Sequence, residues 1–190
     1  MATLQSANIT IMIKAARKAS GKLKRDYGEI EQLQVSKKGQ ADFVTVADIR
    51  TEEILHDTLS HARPEYGFLM EESGTIVGDD PNRRWIIDPI DGTTNFIHGI
   101  PHFAISIALE EKGEITAGVI YEPIHDQMFW AEKGNGAWLN DRRMRVSGRT
   151  QMEQSIFATG IPFIGRGDRK QFLQQIESVM AASAGIRRFG

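Results

Sequence analysis

Two aspartates, Asp88 and Asp91, stand three apart at the end of the apolar run Trp85-Ile86-Ile87, with Pro89-Ile90 between them and Gly92-Thr93-Thr94-Asn95-Phe96 behind. A buried strand would deliver Asp88 to its C-terminal end. Pro89 and Gly92 predict a tight turn on which Asp91 comes back, so that both carboxylates face one small volume. Hard cations take such oxygens: Mg²⁺ prefers near-octahedral coordination by a few carboxylates, waters and substrate phosphate to a closed protein cage. The run Gly92-Thr93-Thr94-Asn95 reads as a helix start whose first N–H groups lack intrahelical partners, and such an end binds phosphate. Metal-holding carboxylates directly before a phosphate-cradling turn make a site for phosphoryl transfer. In the plainer reading, Asp88 and Asp91 only cap a turn; the apolar strand that precedes them argues for the site.

Glu71 and Glu72 end the run Phe68-Leu69-Met70 as Asp88 ends Trp85-Ile86-Ile87. If these two strands are neighbours in one sheet, their acidic ends converge, and a cation relieves carboxylates that would otherwise repel. A glutamate pair alone is more often a solvated surface feature. Its weight comes from the combination.

The elements that must position these residues follow from periodicity. Ile9, Met12, Ile13, Ala16 and Leu23 recur at helical spacing and predict a helix over 6–27 with its charged face to water. A second helix is expected over 46–62, capped by Thr45 and stopped before Pro64. From Tyr66 onward, short β-rich runs separated by Gly, Asn and Pro predict a sheet with turns. Residues 104–109 and 115–121 can pair as a hairpin around Lys112-Gly113-Glu114, and 127–131 and 137–139 continue the meander around Gly134-Asn135-Gly136. A last helix is expected over 169–182, followed by a strand beginning near Ile186.

The 190 residues carry a formal charge of −2 from 23 basic and 25 acidic side chains. Without a basic stripe, nucleic acid is not the expected ligand. There is no cysteine, which removes disulfides, thiolate zinc sites and a cysteine nucleophile and fits a reducing compartment such as the cytoplasm. Lysines and arginines interrupt the N-terminal stretch before a signal-peptide core can form, and no window reaches the roughly 20 uncharged apolar residues of a membrane span.

The stretch Glu71-Glu72-Ser73, followed by the long motif from Trp85 to Phe96, resembles the inositol monophosphatase family of Mg²⁺-dependent, lithium-sensitive phosphatases, and the resemblance runs over essentially the whole chain. It implies an α/β fold of helices layered on antiparallel-rich sheets, the αβαβα sandwich of inositol monophosphatase and fructose bisphosphatase. In that fold, 1–140 would be the N-terminal metal-binding lobe and 141–190 the beginning of a second lobe. It implies two or three Mg²⁺: Glu71, Asp88 and the carbonyl of Ile90 on one, Asp88 and Asp91 on a second, and Glu71 touching a third near Lys37 on a mobile loop. Thr93 and Glu71 would orient and deprotonate the attacking water, with Asp48 fixing the Thr93 hydroxyl. Asp91, Gly92, Thr93, Thr94 and Gly190 would contact the substrate. The family carries a further aspartate ligand and a hydroxyl-holding glutamate beyond position 190, so the resemblance implies a chain truncated at its C-terminus.

The expected activity is in-line hydrolysis of myo-inositol monophosphate or a similar sugar or polyol phosphate, in a homodimer. Fructose 1,6-bisphosphate, a nucleotide 3′-phosphate and histidinol phosphate are rival substrates. A rival of another class is a catalytically impaired phosphatase scaffold that works by contacting a partner. His98 and His102 have helical zinc spacing, but Gly99 and Pro101 between them break the helix. Trp130 and Trp138 could pack in a core or in a subunit interface.

Overall fold

The computed structural model describes residues 5–30, 35–38, 42–163, 165 and 167–188. Two compact units divide the chain, 1–36 with 44–144 and 37–43 with 145–190.

In the first unit, helix α1 (Ala7–Gly28) starts where the Ser6 side chain accepts a hydrogen bond from the Ile9 N–H at 3.2 Å, which satisfies one donor that a helix start leaves open. Its apolar residues Ile9, Met12, Ala15, Ala16, Ala19 and Leu23 are fully buried. Lys14, Arg17, Lys18, Lys22, Lys24 and Arg25 are exposed, and the helix's one acid, Asp26, is buried and paired with Arg50 at 2.7 Å. The balanced composition therefore conceals a locally basic helix face, against the expectation of no basic stripe. Val35–Lys38 (β1) and Asp42–Thr45 (β2), whose residues are divided between the two units, form a separate two-stranded sheet. Helix α2 (Val46–Ala62) buries Ala47, Leu55 and Leu59 together with the polar Asp48, Thr51 and Glu52.

The strands β3 (Tyr66–Met70), β4 (Gly74–Ile76), β5 (Asp80–Asp91), β6 (Ala104–Glu111), β7 (Glu114–Glu122), β8 (Gln127–Glu132), β9 (Gly136–Leu139) and β10 (Arg142–Arg143) make one sheet, in the order β10-β9-β8-β7-β6-β5-β3-β4. The short helix α3 (Thr93–Ile97) lies between β5 and β6. Every pairing in the sheet is antiparallel except β3 with β5. One face is apolar and buried: Phe68, Trp85, Ile87, Ile105, Ile107, Leu109, Val119, Met128 and Trp130 join the α1 and α2 side chains in a single core. Side chains alternate along a strand, so Leu69, Ile86, Asp88, Ser106 and Ile120 belong to the other face. Trp130 and Trp138 face each other across β8 and β9, their rings stacked 5.4 Å apart at 8°. No helix among the described residues is long and apolar enough to cross a membrane.

In the second unit, β11 (Ile156–Ala158) pairs in parallel with β12 (Gly185–Arg187), and α4 (Arg169–Ala182) connects them. The Asp168 carboxylate caps α4 by accepting from the N–H groups of Lys170 and Gln171.

The expected turn between Asp88 and Asp91 is not there. β5 runs on through Asp91, and its pairing with β6 skips from Asp88↔Ser106 to Asp91↔Ala104. Three steps on β5 answer two on β6, which is a β-bulge. Pro89 lies in the bulge, where its missing N–H breaks no ladder bond.

Candidate active site

The bulge solves a parity problem. Residues three apart on a regular strand point to opposite faces, so Asp88 and Asp91 would separate. Ser106 and Ala104 are two apart on β6 and share a face, and their partners Asp88 and Asp91 therefore share it too. Glu71 joins them through the parallel register of β3 with β5. Met70 lies opposite Ile87, and the Glu71 N–H continues the ladder by donating to the Ile87 carbonyl at 3.2 Å, which sets Glu71 beside Asp88.

The consequence appears in the protonation of Asp88. Burial first, then the charges of Glu71 and Asp91, a side-chain hydrogen bond with Glu71 and the charge of Asp48 push its pKa up to about 8. The Asp88 Oδ1 is buried without a hydrogen-bond partner. Acidic groups crowded together with an orphaned oxygen fit a divalent cation, which would take the lone pairs and cancel the repulsion. Among the described residues no three acidic or histidine side chains stand as a ready-made cage. The Ile90 carbonyl accepts from the Thr93 hydroxyl at 2.9 Å and retains a second lone pair.

Beyond Asp91, Gly92 caps α3 with φ +99°, a left-handed conformation open to glycine. A Cβ there would stand 3.1 Å from the His102 carbonyl oxygen and 3.3 Å from the Phe103 side chain. The first intrahelical bond runs from the Phe96 N–H to the Gly92 carbonyl, so the N–H groups of Thr93 and Thr94 precede the helix's own ladder. The Asn95 side chain donates to the His102 carbonyl at 2.8 Å and ties the far end of this loop to α3. His98 closes α3.

Of the residues singled out from sequence, Glu71, Asp91 and Asp48 lie near enough to act on Asp88, and Ile90, Gly92, Thr93 and Thr94 follow Asp88 along the chain. Lys37 lies in strand β1 rather than in a loop, and its side chain is outside the described residues, as is Gly190. Sequence reasoning missed Glu52, whose carboxylate holds the backbone just after Glu71. Its spacing of four from Asp48 on α2 was the available signal. A groove of about 340 Å³ lined by Gly67, Val77, Asn82, Arg84 and Glu110 opens at the other end of β3 and β5 and has no part in this constellation.

Residues 5–190 match the model of the inositol monophosphatase family. An inositol-1-monophosphatase of Mesorhizobium japonicum is 52% identical, over 98% of this chain and 70% of that protein. A protein of Salmonella typhimurium named Nus factor SuhB is 39% identical, over 96% of this chain and 68% of that protein. The crystal structure of the extragenic suppressor protein suhB from Bartonella henselae superposes with a TM-score of 0.93 at 55% identity, over 97% of this chain and 71% of that one. The layered α/β fold expected from sequence is the fold of these relatives, and the chain belongs to the inositol monophosphatase family.

Proposed function

We propose that this chain carries the catalytic centre of a phosphomonoesterase acting on myo-inositol monophosphate or a similar sugar or polyol phosphate, with two or three Mg²⁺ held by Glu71, Asp88, the Ile90 carbonyl and Asp91. The observation that carries the reading is the crowded acid where β3 and β5 end: Glu71, Asp91 and Asp48 all raise the pKa of a buried Asp88 whose Oδ1 has no partner. When bound, the ions would polarise the phosphate and lower the pKa of the attacking water, so that in-line displacement needs no covalent intermediate.

The chain's own residues do the rest. Asp88 and Asp91 present carboxylates on one face because of the bulge, and Glu71 reaches the same place from the neighbouring strand. Thr93, held against the Ile90 carbonyl, orients the water, and Glu71, an exposed carboxylate, takes its proton. Gly92 lets the phosphate approach the backbone, where the N–H groups of Thr93 and Thr94 and the exposed Thr94 hydroxyl bind its oxygens. The reading includes a cytoplasmic homodimer and lithium sensitivity, as the family resemblance implies. Phosphate release from inositol 1-phosphate should require Mg²⁺ and vanish in Asp88→Asn; release that persists in a chelator would refute it.

The Salmonella relative's name supports a second reading, a scaffold that acts by contacting a partner. Asp88→Asn separates the two, since a scaffold keeps its binding function when hydrolysis is lost.

A further inference from the structure

Glu52 is only 2% exposed, and the phosphatase reading gives it no task. A buried carboxylate is expensive unless hydrogen bonds hold its charge. Here both oxygens are engaged: Oε2 accepts from the Glu72 N–H at 2.9 Å, and Oε1 accepts from the Ser73 N–H at 3.0 Å and from the Ser73 hydroxyl. All three donors belong to the two residues after Glu71, in the turn that joins β3 to β4. The Glu71 N–H itself is fixed by the Ile87 carbonyl. The backbone of Glu71 is thus pinned on one side by the sheet and on the other by a carboxylate reaching out of the buried face of α2. A three-residue turn carrying an exposed glutamate would otherwise be free to swing.

The geometry points to Glu52 as a positioning residue that holds Glu71 beside Asp88 for binding of a divalent cation, although Glu52 touches neither cation nor substrate. Asp48, one turn earlier on α2 and also buried, acts on Asp88 directly. One helix therefore supplies both of these acids from its first two turns. The inference rests on the reading of Glu71 as a cation ligand.

The test is direct Mn²⁺ binding, followed by the loss of the free-ion paramagnetic resonance signal, in the wild type, Glu52→Gln, Ser73→Ala and Asp88→Asn. A glutamine turns one of its two positions into a donor and so leaves an N–H of the turn unpaired. Glu52→Gln should keep its circular dichroism and cooperative unfolding while losing about 10–100-fold in Mn²⁺ affinity, the usual effect of removing a group that orients a ligand. Ser73→Ala removes one bond of three and should lose several-fold; it carries the test if Glu52→Gln fails to fold. At saturating metal both variants should recover kcat and KM, and Glu52→Asp should recover part of the affinity. A folded Glu52→Gln with wild-type Mn²⁺ affinity overturns the positioning role. Failure of the wild type to bind Mn²⁺, or wild-type binding by Asp88→Asn, instead overturns the metal-site reading beneath it.

Discussion

The two ends of β3 and β5 are both dense in charge, and they solve the problem in opposite ways. At the start of β5, Arg83 pairs with Glu111 at 2.7 Å and Asp80 at 3.1 Å, and Arg84 pairs with Glu110 at 3.0 Å. The Asn82 N–H holds the Asp80 carboxyl below the usual carboxylate range, and the Arg83 guanidinium does the same for Glu111. At the far end the charges that act on Asp88, those of Glu71, Asp91 and Asp48, are all acidic, and Asp88 is driven up to about 8. Charged residues on neighbouring strands do not mark a site by themselves. An excess of one sign does, because folding leaves it without a protein partner.

The largest effect that would sharpen this contrast belongs to Asp88→Asn. It should reduce Mg²⁺-dependent phosphate release by about 100-fold or more, beyond the loss typical of a group one step from the metal. In metal-free protein the same change removes a repelled acid, and the melting temperature should rise by about 2–4 °C, the equivalent of roughly 1 kcal/mol in a chain of this size. A fall would mean that Asp88 is satisfied without metal.

Next in size is Gly92→Ala. Its φ of +99° and a contact of 3.1 Å with the His102 oxygen should cost about 1–2 kcal/mol, seen as a lower melting temperature, together with a raised KM as the phosphate-binding turn shifts.

The two ends should also answer pH in opposite senses. A carboxyl whose folded pKa is raised contributes stability that is complete below its unfolded pKa, 3.8 for Asp88, and is lost as pH rises through about 8. Metal-free protein should therefore lose stability across that window, and Mg²⁺ or Asp88→Asn should flatten the loss. Asp80 and Glu111 have lowered values, so their contribution is present above the ordinary carboxylate range and disappears as pH falls through their folded values. Unfolding midpoints measured in chelator and in Mg²⁺ across this range decide the point. The smallest effect belongs to Arg83→Ala: a solvent-exposed pair contributes little to stability, so the melting temperature should barely move and phosphate release should not change.

The helices could be read from the sequence with little loss. The apolar periodicity with Pro64 behind it gave 46–62, and the pattern from Phe172 to Met180 gave 169–182, matching α2 and α4. The sheet was legible where hairpins are local: Lys112 and Gly113 both take positive φ between β6 and β7. What escaped depends on distant partners. β4, β10 and β11 are two or three residues long and exist because of neighbours that no local pattern announces. The bulge at Pro89 changes which face Asp91 shares, and only the register with β6 reveals it. Nothing local on α2 announces what Glu52 holds, because its hydrogen-bond partners lie in a turn 20 residues later.

The most direct test of the acidic strand ends is a titration of metal-free protein with Mg²⁺ in a calorimeter at pH 7, with phosphate release from inositol 1-phosphate followed in parallel. Binding should be saturable and rise together with activity, and both should be lost in Asp88→Asn. Hydrolysis that proceeds at full rate without bound divalent cation, or Mg²⁺ uptake untouched by Asp88→Asn, would contradict the metal-site reading.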